Sequence, residues 1–317
     1  MIFSFDVIKN MIKYYLSKER MFEMKDLGID IGGTFIKYAY VSKDNKILKK
    51  WKKETKKFNT KDEFYDYLCA DLDLNDVEVV GISAPGVISD DSTIMSKAAP
   101  NVQIMLHTNV NKEISLRLLK PVKTINDAKS AGYCEFSIGH GKGTKSSAYF
   151  IIGTGIGGCL CDEFGVINGH DGLAGEFSHL PLGYRNDIVN KTLGLSHIAS
   201  MTALIDIYNS IASEKVTYGT EVTEKYLNND LKAKEAMNQW CRNIIVGLYM
   251  IIIMYNPEVI CIGGGISQED WFIDKINDMM KTEIQGPLKD LVTTKITRCL
   301  YNNDANILGA VLYARKG

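Results

Sequence analysis

The chain has almost no net charge. Its 37 Lys and Arg face 38 Asp and Glu, a formal balance of −1. No global field therefore draws it to nucleic acid or to an anionic membrane. The one dense run of cations, Lys49–Lys57, reads as a solvated strand end. Long apolar runs are missing too. The strongest, Val246–Tyr255, stops at Asn256-Pro257 and suits a buried helix rather than a membrane span. Residues 1–24 have neither a long apolar core nor a small-residue cleavage site, so no signal peptide is expected there. They read as an extra N-terminal helix or an upstream start, with Met21 and Met24 as alternative beginnings.

Cysteine is present without a pattern. The seven residues are odd in number and sit mostly in apolar runs, which disfavours a disulfide framework and fits reduced thiols in a cytoplasmic protein. Cys159 and Cys161 fall on a strand and should face the same side. No second Cys or His pair stands nearby, so zinc is not expected at them. Two nucleotide signatures are also absent. No G-x-x-x-x-G-K-[ST] occurs, and Gly153–Gly158 runs into a strand rather than the helix that a dinucleotide fingerprint needs.

What the chain does have is length and an internal echo. Its 317 residues exceed one ordinary core, so two lobes are expected. Leu27–Ile31 is an apolar strand that enters Gly32-Gly33-Thr34, resumes as Phe35–Val41, turns at Ser42–Lys46 and continues as Ile47–Trp51. Thr60–Leu72 has helical spacing, Val77–Ser83 reads as a buried strand, and helix Val110–Leu119 leads to strand Val122–Ile125. The opening pattern then returns. Ser147–Ile152 enters Gly153-Thr-Gly-Ile-Gly-Gly158 and strand Cys159–Asp162 follows. Both halves thus begin with strand, glycine hairpin, strand. From about residue 187 to 255 the pattern is helical. Val259–Ile262 is another buried strand, ending at Gly263-Gly-Gly265, and Asn306–Ala314 is a last helix.

A phosphate chain needs backbone N–H groups at close quarters, and glycine permits that approach. Gly32, Gly33 and Thr34 form one such turn; Gly153, Thr154 and Gly155 form another. Asp30 precedes the first turn and is placed to hold Mg²⁺ through water. The third turn, with Gly264 and Gly265, can lie against an adenine and ribose. Each turn alone would be an ordinary tight turn; three at strand ends, with Asp30 at the first, point to a nucleotide.

Four segments then match a known family: Asp30-Ile-Gly-Gly-Thr34, Asn126-Asp127, Gly153-Thr-Gly-Ile-Gly-Gly158 and Gly172-Leu-Ala-Gly-Glu-Phe-Ser-His179. In this ordered set the chain resembles the ROK family of the actin-like ATPase superfamily over residues 26–315. The resemblance implies an α/β fold of two actin-like (ribonuclease H-like) lobes with a central cleft. These would be a small lobe of residues 25–122 joined by the C-terminal helix 306–317, and a large lobe of residues 123–305, after the extension 1–24. It implies an ATP- and Mg²⁺-dependent sugar kinase that phosphorylates the 6-hydroxyl of a hexose, β-glucoside or N-acetylhexosamine, and a homodimer. Asp127 matches the catalytic base. Asn101, Asn126, Glu176 and His179 match sugar ligands; Asp30, Gly32, Gly33, Thr34, Thr154, Gly155, Gly264 and Gly265 match the nucleotide motifs.

Plainer readings stand beside these. Asp127 could cap a helix, Glu176 could be a helix-end charge, His179 a core histidine and Asn101 a turn residue after Pro100. The family's cysteine-rich zinc segment is missing, for Leu182–Leu195 contains no cysteine, so no structural zinc is expected. A glutamate that usually contacts the sugar is replaced by Ser196 or His197. The missing zinc segment resembles the β-glucoside kinases and some N-acetylmannosamine kinases; the Glu176-Phe-Ser-His179 segment and the missing glutamate are more similar to the β-glucoside kinases. The competing function is a non-catalytic sugar sensor. No winged-helix domain precedes the first motif, which disfavours a repressor.

Overall fold

The computed structural model describes residues 24–184 and 192–316. All but the last residue of the extra helix expected in residues 1–24, and the middle of the cysteine-free stretch, lie outside the described residues. The chain forms two compact units. Unit 1 runs up to Ala131 and takes up the chain again from Asp304; unit 2 is Gly132–Asn303.

Unit 1 is built on β1 (Lys25–Ile31), β2 (Phe35–Ser42), β3 (Ile47–Glu54), β4 (Val77–Ala84) and β5 (Val122–Asn126), in the order β3-β2-β1-β4-β5. β1, β2 and β3 form the expected antiparallel meander, whereas β4 and β5 run parallel to β1. The alternation in β1 sets its two faces. Leu27, Ile29 and Ile31 are buried with Phe64, Leu68 and Ile114, which come from helices Lys61–Cys69 and Val110–Leu118. Asp26, Gly28 and Asp30 point the other way, towards helix Ala305–Arg315. A Cβ on Gly28 would lie 2.5 Å from Ile307, and one on Gly81 would lie 2.2 Å from the Ala310 carbonyl oxygen. Small residues in the sheet thus admit this helix, and its Arg315 guanidinium donates to the fully buried Asp26 at 2.7 Å. β3 is the sheet's edge, and its lysines 49, 50 and 52 are exposed, as the charge run suggested.

Unit 2 repeats the plan. β6 (Ser146–Ile152), β7 (Ile156–Asp162), β8 (Gly165–Val166), β11 (Val259–Gly263) and β12 (Lys295–Arg298) lie in the order β12-β11-β6-β7-β8. Counted outward from its first strand, this is the order of unit 1, with the same antiparallel and parallel sides. One face packs on helices Met201–Ile211, Gly219–Leu227, Leu231–Tyr255 and Asp270–Glu283 around Trp240, whose Nε1 donates to the Ser200 carbonyl at 2.8 Å. Cys159, Cys161, Cys261 and Cys299 are buried together with Tyr149 and Val259 in a smaller cluster.

Three expectations need correction. β7 begins at Ile156, not Cys159, so Gly157 and Gly158 belong to the strand. Gly158 is there for space: a Cβ would meet the Gly175 carbonyl oxygen at 2.1 Å. The segment after 187 is not helical at once. β9 (Pro181–Tyr184) and β10 (Thr192–Gly194) form an antiparallel ribbon, and the first helix starts at Ser196. Val246–Tyr255 is the end of a 25-residue helix and is only partly buried, with Val246, Ile253 and Met254 exposed by 46%, 51% and 74%. Among the described residues no helix is long and apolar enough to cross a membrane.

Candidate active site

In unit 1 the candidate residues gather at one edge of the sheet. Asp30 lies near the end of β1, paired with Ser83 on β4, and the next rung pairs Ala84 with Asn126 on β5. This is the carboxyl edge of the parallel strands, where open α/β sheets carry their ligands. Asp30 is 4% exposed. Its Oδ1 accepts from Ser83 Oγ at 2.8 Å and Asn306 Nδ2 at 3.1 Å; its Oδ2 accepts from Lys37 Nζ at 3.2 Å. The turn after it closes when the Gly32 N–H donates to the Phe35 carbonyl at 3.1 Å. A Cβ on Gly33 would lie 2.7 Å from Ala99 Cβ, which explains glycine there. Thr34 is exposed.

Asn101, expected at the sugar, braces this turn. Its amide nitrogen donates to the carbonyls of Gly33 at 3.1 Å and Thr55 at 3.2 Å. Asn126 ends β5, donates from Nδ2 to the Gly86 carbonyl at 3.0 Å and accepts from the Lys129 N–H at 3.1 Å. That second bond is a helix cap, so the capping considered for Asp127 belongs to Asn126. Asp127 opens helix Asp127–Ile138, half-buried, and accepts from the Ala128 N–H at 2.8 Å.

Unit 2 presents the second and third glycine turns. Gly153, Thr154 and Gly155 are exposed and braced from behind. Ser196 Oγ accepts from the Ile156 N–H at 3.0 Å, the Met201 N–H donates to the Gly153 carbonyl at 2.9 Å, and Thr202 Oγ1 donates to the Thr154 carbonyl at 2.8 Å. The Ser196 hydroxyl therefore serves the hairpin, while the exposed His197 places Nδ1 3.3 Å from the Gly194 carbonyl. Gly264 has φ +97°, and a Cβ there would strike the Ile152 carbonyl oxygen at 1.9 Å; Gly265 faces open space. A cavity of about 730 Å³ joins these turns. Gly153, Thr154 and Gly265 line it together with the apolar Ile152, Met201 and Ile205. Tyr218, Glu224 and Glu269 also line it, and no lysine, arginine or histidine does among the described residues. Its size and its mainly apolar wall suit a nucleoside.

Glu176 precedes and His179 ends the short 3₁₀ turn Phe177–His179, Glu176 half-buried and His179 exposed. Gly175, with φ +85°, lets this segment lie on β7, and Phe177 is buried against Phe150 with ring centroids 6.1 Å apart. The sequence-stated candidates thus divide. Asp30, the first turn, Asn101, Asn126 and Asp127 belong to unit 1; Thr154, Gly155, Glu176, His179, Gly264 and Gly265 belong to unit 2. Sequence reading missed Lys37, Ser83 and Asn306 around Asp30, and the cavity wall from helices Met201–Ile211 and Gly219–Leu227. Pairing across the first hairpin would have pointed to Lys37 alone; the other residues come from distant segments.

No group of three or more His, Cys, Asp or Glu among the described residues could hold a metal ion. Cys159 and Cys161 do share a side, with Sγ atoms 3.7 Å apart. Burial pushes the Cys241 thiol up to about 12 and those of Cys261 and Cys299 well above the usual range, so these sulfurs stay protonated and poor as ligands. Asp30 fits a hydrated Mg²⁺. With two donors on Oδ1 and one on Oδ2, one acceptor position of Oδ2 remains for a metal-bound water.

Known proteins resemble most of the chain. The ROK family profile matches residues 26–316. A glucokinase of Thermotoga maritima is 28% identical over 312 residues, covering 91% of this chain and 96% of its own. A β-glucoside kinase of Listeria innocua is 26% identical over 297 residues, 92% of this chain and 97% of its own. The crystal structure of a ROK family glucokinase from Streptomyces griseus, in complex with glucose and AMPPNP, superposes with a TM-score of 0.75 at 25% identity, over 92% of this chain and all of that one.

Proposed function

The chain belongs to the ROK family, and from that premise we propose that it is an ATP-dependent kinase that phosphorylates the 6-hydroxyl of a hexose, a β-glucoside or an N-acetylhexosamine. The observation that carries this reading is the nucleoside-sized cavity of unit 2, which opens on an exposed glycine hairpin. Such a turn offers backbone N–H groups to a triphosphate. Two glutamates and, among the described residues, no cation in the wall favour an uncharged nucleoside there over a bare polyphosphate chain.

In this reading Asp127 accepts the proton of the attacking sugar hydroxyl. Asn126 holds the first turn of the helix beneath it, which keeps the carboxylate at the sheet edge beside the Asp30 end of the sheet. Phosphoryl transfer demands placement and charge neutralisation more than covalent help. Mg²⁺ supplied with the nucleotide would neutralise the phosphates, with Asp30 holding it through water. Glu176 and His179 act as the sugar's hydrogen-bond acceptors and donors, without a structural zinc. Asn101 contributes through the first glycine turn as well as any sugar contact. Neither Ser196 nor His197 supplies the carboxylate that the family pattern has at this point, which favours substrates with an added aglycone or acetamido group. A cytoplasmic homodimer is expected, and the exposed Val246, Ile253 and Met254 on one helix offer an apolar stripe for it.

A coupled ADP-release assay over hexoses, β-glucosides and N-acetylhexosamines tests the activity. Turnover on one class is expected, with little ATP hydrolysis when sugar is withheld. Asp127→Asn should lower kcat by about 10²–10⁴-fold with sugar binding retained. Silence across the panel would favour a sugar sensor, and near-full kcat in the variant would remove Asp127 from the base role.

A further inference from the structure

Helix Ala305–Arg315 packs on the sheet of unit 1 almost without polar side chains. From Ala305 to Leu312 every residue is apolar or glycine except Asn306. Asn306 is the third residue of the segment that re-enters unit 1, and its Nδ2 donates to Asp30 Oδ1 at 3.1 Å. The side-chain oxygen is therefore turned away from the carboxylate, since the reverse orientation would set two acceptors against each other. The backbone of the same residue is engaged as well. Its carbonyl accepts from Ser130 Oγ at 2.6 Å, and Ser130 is fully buried on the helix that Asp127 opens. A Cβ on Gly309 would lie 1.8 Å from the Ser130 carbonyl oxygen, so the two helices meet with no slack. Asn306 thus joins the carboxylate beside the first glycine turn to the first turn of the Asp127 helix.

The helix itself does not call for an asparagine here. Alanine at this position would suit it better by propensity, and apolar packing surrounds it on the same helix. What asparagine adds is a neutral donor that reaches Asp30. Ser83 donates to the same oxygen at 2.8 Å, so Oδ1 is claimed twice. A carboxylate turns easily about its last torsion, and these two bonds stop that turning. Oδ2 accepts once, from Lys37, and keeps an acceptor position free.

We propose that Asn306 is a positioning residue for Asp30, fixing the carboxylate so that Oδ2 is the oxygen left to take a water of the nucleotide's Mg²⁺. This rests on the kinase reading. Through Ser130 the same residue ties that carboxylate to the helix of Asp127, so metal binding and proton acceptance share one support. Groups that orient a metal's ligands from behind carry about 10–100-fold of metal affinity or activity.

The test uses the full chain and measures ADP binding by calorimetry with and without Mg²⁺, beside turnover on a sugar that the unaltered enzyme phosphorylates. Asn306→Ala should weaken MgADP binding by about tenfold and leave metal-free ADP within about twofold. Its kcat should fall by about 10–100-fold, with the sugar dissociation constant within about twofold. A lower melting temperature with the preference for MgADP over ADP intact would mark a merely structural asparagine and overturn the proposal. Asp30→Asn should show the same selective loss, and Asn306→Ala added to it should cost nothing further. Losses that add in the double variant count against the proposal in the same way. If Asn306→Ala does not fold, Asn306→Ser, whose side chain is too short to reach Asp30, takes its place with the same two opposed results. An unaltered protein that neither prefers MgADP nor phosphorylates any sugar ends the kinase reading and this inference together. One that does both, with a variant that behaves identically, ends this inference alone.

Discussion

The two sheets share strand order and direction, and both turn back on glycine after the first strand, but they equip that shared edge differently. Unit 1 places carboxylates there, Asp30 on β1 and Asp127 after β5, each held by side chains or amides of its own unit. Unit 2 has Ile151 where unit 1 has Asp30, and surrounds its hairpin with hydroxyl groups, glycines and an apolar cavity. Turn amides come with the backbone, so any glycine hairpin supplies them. Charge must be introduced and satisfied residue by residue, because an unpartnered buried carboxylate is costly. A repeated fold can therefore give both units a glycine turn while only one receives a carboxylate on the strand before it.

Substitutions at equivalent features sharpen this contrast. The largest effect is expected in unit 2. Gly264→Ala meets both a positive φ and a carbonyl oxygen at 1.9 Å from the new Cβ, a strain of about 1–3 kcal/mol. Its melting temperature should fall by roughly 3–10 °C by calorimetry, with ATP affinity lost as well. Gly265→Ala, which faces open space, should leave the transition where it was; equal shifts for the two would show that the third turn is not set by close approach.

A smaller effect separates two duties of Asn101. Asn101→Ala removes two donors from the first turn, about 0.5–1.5 kcal/mol each. If bracing is the main duty, the KM for ATP rises about tenfold and the KM for sugar moves little. A rise confined to the sugar would return Asn101 to the sugar site. The smallest effect is at the second hairpin. Ser196→Ala leaves the Ile156 N–H without its acceptor, and the KM for ATP should rise about two- to tenfold. A change in sugar preference with unaltered KM for ATP would place this hydroxyl at the sugar after all.

Much of the fold was legible because it rests on local pattern. The alternation Leu27-Gly-Ile-Asp-Ile marked a strand with one apolar face, and the returning strand–glycine–strand motif marked the repeat, which the common strand order bears out. Element ends were less legible. Gly157 and Gly158 looked like turn residues but lie within β7, and the reason for glycine at 158 is the Gly175 carbonyl from a segment 17 residues on. Helical spacing also hid how far Val246–Tyr255 is exposed, because periodicity does not say which faces find partners.

By itself the sequence determined the two-unit α/β plan, the glycine turns, the family and the short roll of polar residues that can carry chemistry, all of which follow from neighbours a few positions apart. Tertiary structure alone decided who holds whom. Asp30 is completed by Ser83 and Asn306, 53 and 276 positions away. Asn101 secures the turn at Gly33, and helices Met201–Ile211 and Gly219–Leu227 enclose the cavity beside Thr154. Hydrogen bonds and cavities depend on distance in space, and distance in space between far segments is fixed only when the sheets and helices have packed.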